Sequence, residues 1–480
     1  MYHSFRVLIF CLFISFPLVL RGQGTGDSPF SQFGVGDLLN NSGNVRNIGM
    51  GNAGVSARNH HFVNLLNPAL LPNLRSAKKS RPNHTYKTWE YYRNLKIDST
   101  VKVDFAITFQ DRGLQAPGGA HENASGINVS YLTFALPMSK TWGTSFGIVP
   151  YSTVNYNLTY SNVLPNQPTV TNTIKNTTKG GIYKIFLSNG VGITQNLSVG
   201  LETSFLYGNV NEELFSLLPD ITTSNFGFKR QTVYSAFGLK PGIQFRREIV
   251  QAHHDTIYEE DSMGRKTIPV LTRKTESSGV FYNIGLTYDF YSTLNITRNL
   301  DLYVVNSSNI ISLDTTIQSN KFKAKLPSTL RLGFSLDAPL RWTVAADVFY
   351  SAWSNYKSGF SADTLGNSYG FNLGGEFSAN ATKQKSKTFR AGFTYVKTPV
   401  IYRGHQLSDM SISFGASVPL GRNRRPNAEQ YMMPVRPKIN FALVIGQRGN
   451  VNTFGIKEQY VKLYVSCLIN QKWFTKSKIY

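Results

Sequence analysis

Short segments in which apolar side chains occupy every second position recur from Val101 to Ile469. The last of them places apolar residues at one parity and mostly polar ones at the other: Val461, Leu463, Val465, Cys467 and Ile469 against Lys462, Tyr464, Ser466 and Leu468. Successive side chains of a β-strand point to opposite faces, so one face of each segment suits lipid and the other tolerates water. The pattern predicts an all-β chain that forms a transmembrane antiparallel β-barrel.

The segments number about fourteen, an even count as an antiparallel barrel with both ends on one side requires. They are residues 101–109, 126–136, 143–154, 181–193, 197–208, 233–246, 280–291, 326–337, 342–352, 370–378, 388–396, 408–419, 438–446 and 459–469. The segments are about 10 residues long, the length of a tilted strand that crosses a bilayer. A soluble sandwich or propeller is the alternative, but the chain shows no repeat at the period of a propeller blade.

Connections between the segments alternate in length, which assigns a side of the membrane to each. The short ones, predicted to be periplasmic, are 137–142, 194–196 and 338–341. The long ones, predicted to lie outside, are 110–125, 155–180, 209–232, 292–325 and 354–369. Residues 247–279 break the rule and 420–437 strain it. The first is either a periplasmic insertion or hides further strands, for example at 268–273.

The N-terminus carries the features of an export signal. Arg6 precedes an apolar run over residues 7–20, which is shorter than the roughly 20 residues of a membrane-spanning helix. Residues 1–24 are therefore predicted to be a signal peptide, and the mature chain to lie in the outer membrane of a Gram-negative cell. Cys467 is then the one remaining cysteine, so no intramolecular disulfide is expected.

The formal charge of +23 does not indicate nucleic-acid binding, because the basic residues are scattered through loops. Outer-membrane lipid and lipopolysaccharide are the expected anionic partners. None of the eight histidines falls in a predicted strand, and no defensible catalytic grouping surrounds them. The pairs His60/His61 and His253/His254 lack the spacing of a metal site. We expect no enzyme activity, no cofactor and no metal.

Ionisable residues on inward parities predict a lumen that is wet or crossed by ion pairs. These candidates lie on different strands: Glu202, Asp289, Arg331, Asp347, Glu376 and Arg390. They serve either as struts across the barrel or as contacts for a substrate.

Residues 25–100 precede the first strand and are more than a barrel needs to begin. They are rich in Gly and Asn, with the run RNIGMGNAGVSARNHHFVNLLNPALLPN. The set Arg46, Gly49, Met50, Gly51, Ala53 and Gly54, followed by Asn67, Pro68 and Ala69, resembles the N-terminal signature of FadL-type outer-membrane transporters. The segments SPFSQFGVGDL, GGEF and GQRG and the closing KEQYVKLYVSCLINQKWF resemble a FadL-like branch found where type IX secretion occurs.

This resemblance implies a 14-stranded barrel over residues 101–474, an N-terminal hatch over 25–100 inside its lumen, and a periplasmic tail over 475–480. Hatch residues that gate a ligand would be Gly49, Met50, Gly51, Ala53, Gly54, Asn67, Pro68 and Ala69. Family members move hydrophobic small molecules such as long-chain fatty acids or aromatic hydrocarbons. The chain departs from the family at Asn59, His60 and His61. A barrel of type IX secretion that binds exported proteins, and a structural barrel with a blocked lumen, are the alternatives.

Overall fold

The computed structural model describes most of the chain after its first 27 residues. The described residues are 28–39, 43–73, 76–78, 96–98, 101–139, 141–164, 167–217, 225–260, 266–305, 311–339, 341–357, 365–379, 387–420 and 437–471. The predicted signal peptide and the predicted tail lie outside them. Within the described residues, no helix is long and apolar enough to cross a membrane.

Strands make up nearly all of the regular structure. In chain order they are β1 (Asp37–Leu38), β2 (Ser76–Lys78), β3 (Lys96–Asp98), β4 (Val101–Gln115), β5 (His121–Pro137), β6 (Trp142–Leu164), β7 (Gln167–Gly192), β8 (Leu197–Leu217), β9 (Asn225–Glu260), β10 (Lys266–Tyr291), β11 (Thr293–Val305), β12 (Ile311–Lys325), β13 (Thr329–Ala338), β14 (Trp342–Ser351), β15 (Ser368–Ala379), β16 (Lys387–Tyr402), β17 (His405–Pro419), β18 (Lys438–Asn450) and β19 (Ile456–Gln471). Two short α-helices are α1 (Val45–Ile48) and α2 (Val451–Phe454), and 3₁₀ helices cover Pro29–Gln32, Pro68–Asn73, Pro117–Gly119 and Trp353–Asn355.

The strands from β4 to β19 form a closed antiparallel barrel. Its wall has fourteen positions, here called staves, and each is occupied by one strand or by two strands that lie end to end. β19 pairs with β4 along its length and closes the wall. β10 and β11 lie end to end along β9, interrupted at Ser292, and β12 and β13 continue each other on the next stave. Each of these two pairs counts as one stave, so the predicted number of strands is confirmed.

The two ends of the barrel differ as the connection lengths predict. At one end, here called the short-turn end, β5–β6, β7–β8 and β13–β14 are joined within a few residues. At the other, the long-hairpin end, the strands extend as paired ribbons. Residues 292–325, predicted to be an outer loop, are instead mostly the hairpin of β11 and β12.

The connection over 247–279 is a β-ribbon at the short-turn end. β9 and β10 continue past the barrel wall and stay paired from Val250 opposite Ser277 to Glu260 opposite Lys266. The segment 268–273, suspected of hiding a strand, is part of β10. In the part of the chain that the structure describes, no third strand pairs with the ribbon.

Strand parity sorts lipid-facing from inward-facing residues as predicted. In β18, Phe441 and Ile445 are exposed on the outer face, whereas Asn440 and Ala442 are fully buried on the inner face. The alternation repeats in β13 and β14, whose burial patterns change at every residue over most of their length. An outer face of exposed apolar side chains is what lipid requires.

The lumen is filled by protein along much of its length. Residues 28–39 and 43–73, here called the lumenal segment, contact inward-facing residues of many strands. Towards the long-hairpin end the segment meets an apolar cluster whose members include Val35, Tyr151, Leu206 and Trp353. The prediction of a lumen that is wet or crossed by ion pairs is therefore incomplete, because packed apolar side chains fill one section of it.

Candidate functional site

Three of the six inward ionisable candidates, Glu202, Asp289 and Arg331, form ion pairs with other residues of the barrel wall. Glu202 accepts from Lys184 at 2.8 Å and from Lys240 at 2.9 Å. Arg331 lies 3.9 Å from Asp289. All five side chains are nearly inaccessible to solvent. A buried charge is tolerated only when it is paired and hydrogen-bonded, and these groups fit the role of struts.

The two remaining acidic candidates hold the lumenal segment. Asp347 Oδ2 accepts hydrogen bonds from the backbone N–H groups of Gly54 at 2.6 Å and Val55 at 2.9 Å. Glu376 receives Arg46 through both carboxylate oxygens, at 3.0 and 3.2 Å, and Arg390 Nε at 2.7 Å. The predicted wall residues and the predicted hatch residues thus meet.

Inward-facing glycines of the wall lie against the backbone of the lumenal segment. A Cβ added to Gly374 would come within 1.9 Å of Met50 O, and one on Gly392 within 2.0 Å of Gly51 N. One on Gly285 would meet Val55 O at 2.4 Å. No side chain fits at such distances, so these wall positions must be glycine for the segment to pack against the strands. Gly51 has φ of +62° and Gly54 of +154°, conformations that favour glycine.

The Asn67-Pro68-Ala69 triplet is seated on the opposite part of the wall. Asn67 Nδ2 donates to Val55 O at 2.8 Å and to Ile243 O on β9 at 3.2 Å. Ser198 Oγ donates to Ala69 O at 2.7 Å. Pro68 lies over Gly190 and Gly200, where a Cβ would be 2.3 and 2.4 Å from its backbone. Asn67 therefore ties the triplet both to the middle of the segment and to the wall.

A second ion cluster, which the sequence reasoning missed, fixes the start of the lumenal segment. Asp37 lies 2.7 Å from Arg448 and 3.6 Å from Arg112, and Arg112 also pairs with Glu458 at 2.5 Å. Burial alone would raise the pKa of Asp37, but the two guanidinium groups lower it to about 2. Ser28 Oγ donates to Glu458 at 2.8 Å.

The barrel wall is open between β5 and β6. These strands pair only from Leu132 opposite Ile148 down to the turn at Pro137 and Gly143. Above that point β5 pairs with β4 alone, and β6 pairs with β7 and, at Ser152 and Thr153, with β1 of the lumenal segment. Within the described residues, no ladder bond joins the two strands beyond this level.

The opening lies within the apolar belt of the outer surface. Val129 at its edge is 46% exposed and pairs with outward-facing Ile107 on β4. Ile148 on the other side is 38% exposed. A small hydrophobic molecule that left the lumen here would enter the hydrocarbon layer directly.

A pocket lies directly inside the opening. The space within it and at its mouth, open solvent included, is about 900 Å³. Its walls combine apolar residues of the lumenal segment, Ile48 and Leu65, with residues of β5 and β6 such as Val129 and Val149. Lys462 and the paired groups Arg112, Lys184 and Glu202 add polar contacts at its margin. Mainly apolar walls with a few charged groups are typical of a site for a small organic ligand.

Pro150 is the sequence signal that could have revealed the opening. Proline donates no hydrogen bond to a ladder and is confined to strand edges and bulges. Pro150 lies inside the predicted strand 143–154, just above the last β5–β6 pair and at a register shift against β7. A proline there indicates that one side of the strand is unpaired.

Comparison with known proteins places this architecture. The family model of BamG matches residues 1–480. The chain belongs to the BamG family. Solved structures similar to this BamG-family barrel include a Pseudomonas aeruginosa FadL homologue, at 12% identity, a TM-score of 0.52, and coverage of 89% of this chain and 98% of the other. The Pseudomonas putida toluene transporter TodX matches at 14% identity, a TM-score of 0.51, and coverage of 92% and 100%. No curated protein matches the chain. At such identities the likeness concerns the fold, which is that of the FadL-type barrel.

Proposed function

We propose that this BamG-family barrel is an outer-membrane transporter for hydrophobic small molecules, and that its ligand moves between the lumenal pocket and the membrane through the opening between β5 and β6. The observation that carries the proposal is the coincidence of the two features. The mouth and the pocket share Val129, Tyr131 and Val149. Passage of a ligand would explain why β5 and β6 are unpaired within the apolar belt.

The energetics favour an apolar ligand. A water-filled pore has no affinity for an acyl chain or an aromatic ring, whereas an apolar pocket gains about 0.8 kcal/mol per buried CH₂ group. Unpaired backbone groups at the edge of an opening are costly in hydrocarbon unless protein or water covers them. β1 and residues 28–31 supply part of that cover by bonding to β6 from inside.

The lumenal segment serves as the hatch in this proposal. Its glycines, Gly49, Gly51 and Gly54, and the Asn67-Pro68-Ala69 triplet hold it against the wall, so the described part of the segment fills the lumen beside the side opening. A rearrangement of this segment would alter the pocket, because Ile48 and Leu65 of the segment line the pocket. Long-chain fatty acids and aromatic hydrocarbons are the ligand classes proposed.

Two experiments test the proposal. A fatty acid carrying a diazirine group is photolysed with the purified barrel, and peptides are mapped by mass spectrometry. We expect labels within residues 126–131 and 148–154, and labels spread evenly over the outer surface would reject the pathway.

Separately, Asn67→Ala combined with Pro68→Ala should leave the barrel assembled but reduce uptake of the hydrophobic ligand. Unchanged uptake would reject the gating role.

A protein-binding role is the second candidate, and the β9–β10 ribbon favours it. An isolated two-stranded hairpin is marginally stable in water and presents two unpaired edges. Extended segments of other proteins bind to such edges as added strands. An exported or secretion-system protein that copurifies in stoichiometric amount with the full chain, and is lost when residues 250–277 are replaced by a short turn, would support this candidate over the transporter.

A further inference from the structure

Several buried polar atoms near the short-turn end have no hydrogen-bond partner. Three of the residues concerned, in the described part of the chain, are Lys102 through Nζ, Asn470 through both amide atoms, and His61 through Nδ1. Lys102 is 0% exposed and Asn470 is 7% exposed. Buried polar groups are almost always bonded to protein or to a bound species, so a group of them in one place requires an explanation.

The strand register brings these residues together. Lys102 on β4 is directly opposite Asn470 on β19. Lys438 on β18 is opposite Leu468, two residues from Asn470 on the same inward face. Directly opposed side chains lie about 5 Å apart and diagonal ones about 7 to 8 Å apart at Cβ, within reach of a lysine. His61 approaches from the lumenal segment, where Lys438, burial and Lys102 lower its pKa well below the ordinary value.

Positive charge exceeds negative charge around this group. Glu376, the acid that interacts with Lys438, is already engaged, since it pairs with Arg46 and Arg390. Lys438 Nζ is 5.6 Å from the centre of the Phe62 ring. Neither Lys102 nor Lys438 has an ion-pair partner among the described residues.

One further carboxylate is close in sequence. Asp104 Oδ2 accepts from Tyr131 Oη at 3.2 Å, and Oδ1 has no partner. Tyr131 Oη in turn accepts from the backbone N–H of Val45. Asp104 lies two residues from Lys102 on the same inward face, and its Oδ2 atom is bonded through Tyr131 on the side of α1.

An unpaired ammonium group buried in protein is costly, and an anion that bonds to it removes the cost. We propose that Lys102, Lys438 and Asn470, with His61, form a binding site for an oxyanion, the carboxylate or phosphate group of a ligand that enters from the short-turn end. Two ammonium groups, an amide N–H₂ and an imidazole supply the charge-assisted and neutral donors that such a group accepts.

The oxyanion site is separate from the pocket at the wall opening. On β4 the pocket is lined by Thr108, Gln110 and Arg112, and Lys102 lies six residues below Thr108. Between the two levels Ala106, Tyr131 and Ala442 pack against Val45 and Ile48 of α1. Failure of the transporter proposal would therefore leave this site untouched, and the reverse also holds.

The test uses the full chain in a nonionic detergent and a phosphate-free buffer. Isothermal titration calorimetry measures inorganic phosphate and, separately, dodecyl phosphate. Lys102→Met and Lys438→Met should each weaken binding at least tenfold, and Lys102→Arg should largely restore it. Lys323→Met is the matched control, because it removes the same charge from an exposed lysine of β12. Equal affinity for the two probes identifies a free ion as the ligand, and much tighter dodecyl phosphate identifies an amphiphile headgroup.

Thermal unfolding supplies an independent readout. Without an anion, Lys102→Met should unfold at a higher temperature than the parent chain, since it removes an unpaired buried charge. Phosphate should raise the unfolding temperature of the parent and not that of the variant. A parent chain that binds neither probe would overturn the proposal, as would Lys102→Met and Lys438→Met variants that bind like the parent.

Discussion

Replacing Glu376 with Gln tests how firmly the lumenal segment is attached to the wall. Glu376 on β15 is the shared acceptor for Arg46 of the segment and Arg390 of β16, and Asn59 Nδ2 lies 3.3 Å from its Oε1. The side chains of Arg46 and Arg390 are 1% and 0% exposed. Glutamine keeps the size of the side chain and removes its charge, so two buried guanidinium groups lose their counter-ion.

The expected loss is large because the pair is buried. Removing one partner of a buried ion pair costs about 3 to 5 kcal/mol, since an uncompensated charge remains in the interior. Arg46 can escape this cost by leaving the wall together with the lumenal segment. If the whole cost falls on that attachment, the open fraction of the segment rises about 140-fold to 4,000-fold, at about 1.4 kcal/mol per tenfold change.

Hydrogen–deuterium exchange reads this opening at individual amides. The N–H groups of Gly54 and Val55 bond to Asp347, and that of Gly51 bonds to Ser413 Oγ at 2.8 Å, so their exchange reports release of the segment. Exchange there should accelerate in Glu376→Gln while the strands stay protected. Glu212→Gln is the control, because its pair with Arg230 is partly exposed and worth about 1 kcal/mol or less. Unchanged exchange in folded Glu376→Gln would refute the reasoning.

Two further predictions concern the same segment. Gly374→Ala should weaken the attachment of the segment by about 1 to 3 kcal/mol, the cost of overpacking, because the new Cβ would meet Met50 O. The neighbouring Gly375→Ala, whose Cβ would be 3.7 Å from Thr343 O, should change exchange little. Equal effects of the two variants would contradict the fit between Gly374 and the segment. The pKa of His60 is lowered to about 3 by burial and by Arg58, Arg246, Lys102 and Arg46, so the released form binds more protons below pH 6.5. The protection factors of the segment, which correct for the intrinsic slowing of amide exchange at lower pH, should therefore fall as the pH falls from 6.5 towards 3. His60→Asn should flatten this dependence, while His121→Asn, at the long-hairpin end, should not.

The strands were predictable because their signal is local. Alternation along β18 or β19 is visible in ten residues, and lipid on one side enforces it at every position. All fourteen predicted segments coincide with staves of the wall. The extents of the strands beyond the membrane were not predictable, because the ribbons of β6–β7 and β11–β12 have no lipid to impose a pattern.

The sequence indicated several residues of the candidate site but not the contacts between them. Asp347 and Gly54 were both candidates, but they are 293 residues apart and nothing local links them. The wall glycines gave no separate signal, since a glycine in a strand also marks bulges and bends. The gating role of the triplet and the link to type IX secretion stay predictions.

The fit between wall glycines and the lumenal segment constrains the order in which the protein is built. Gly190 on β7, Gly285 on β10 and the paired Gly374 and Gly392 on β15 and β16 contact the segment from three separate parts of the circumference. A finished cylinder would therefore leave no route by which the folded segment could slide into place. The seam between β19 and β4 joins residues more than 340 positions apart, and contacts of such separation form late. We expect residues 43–73 to pack on the curved, still open sheet before β19 pairs with β4.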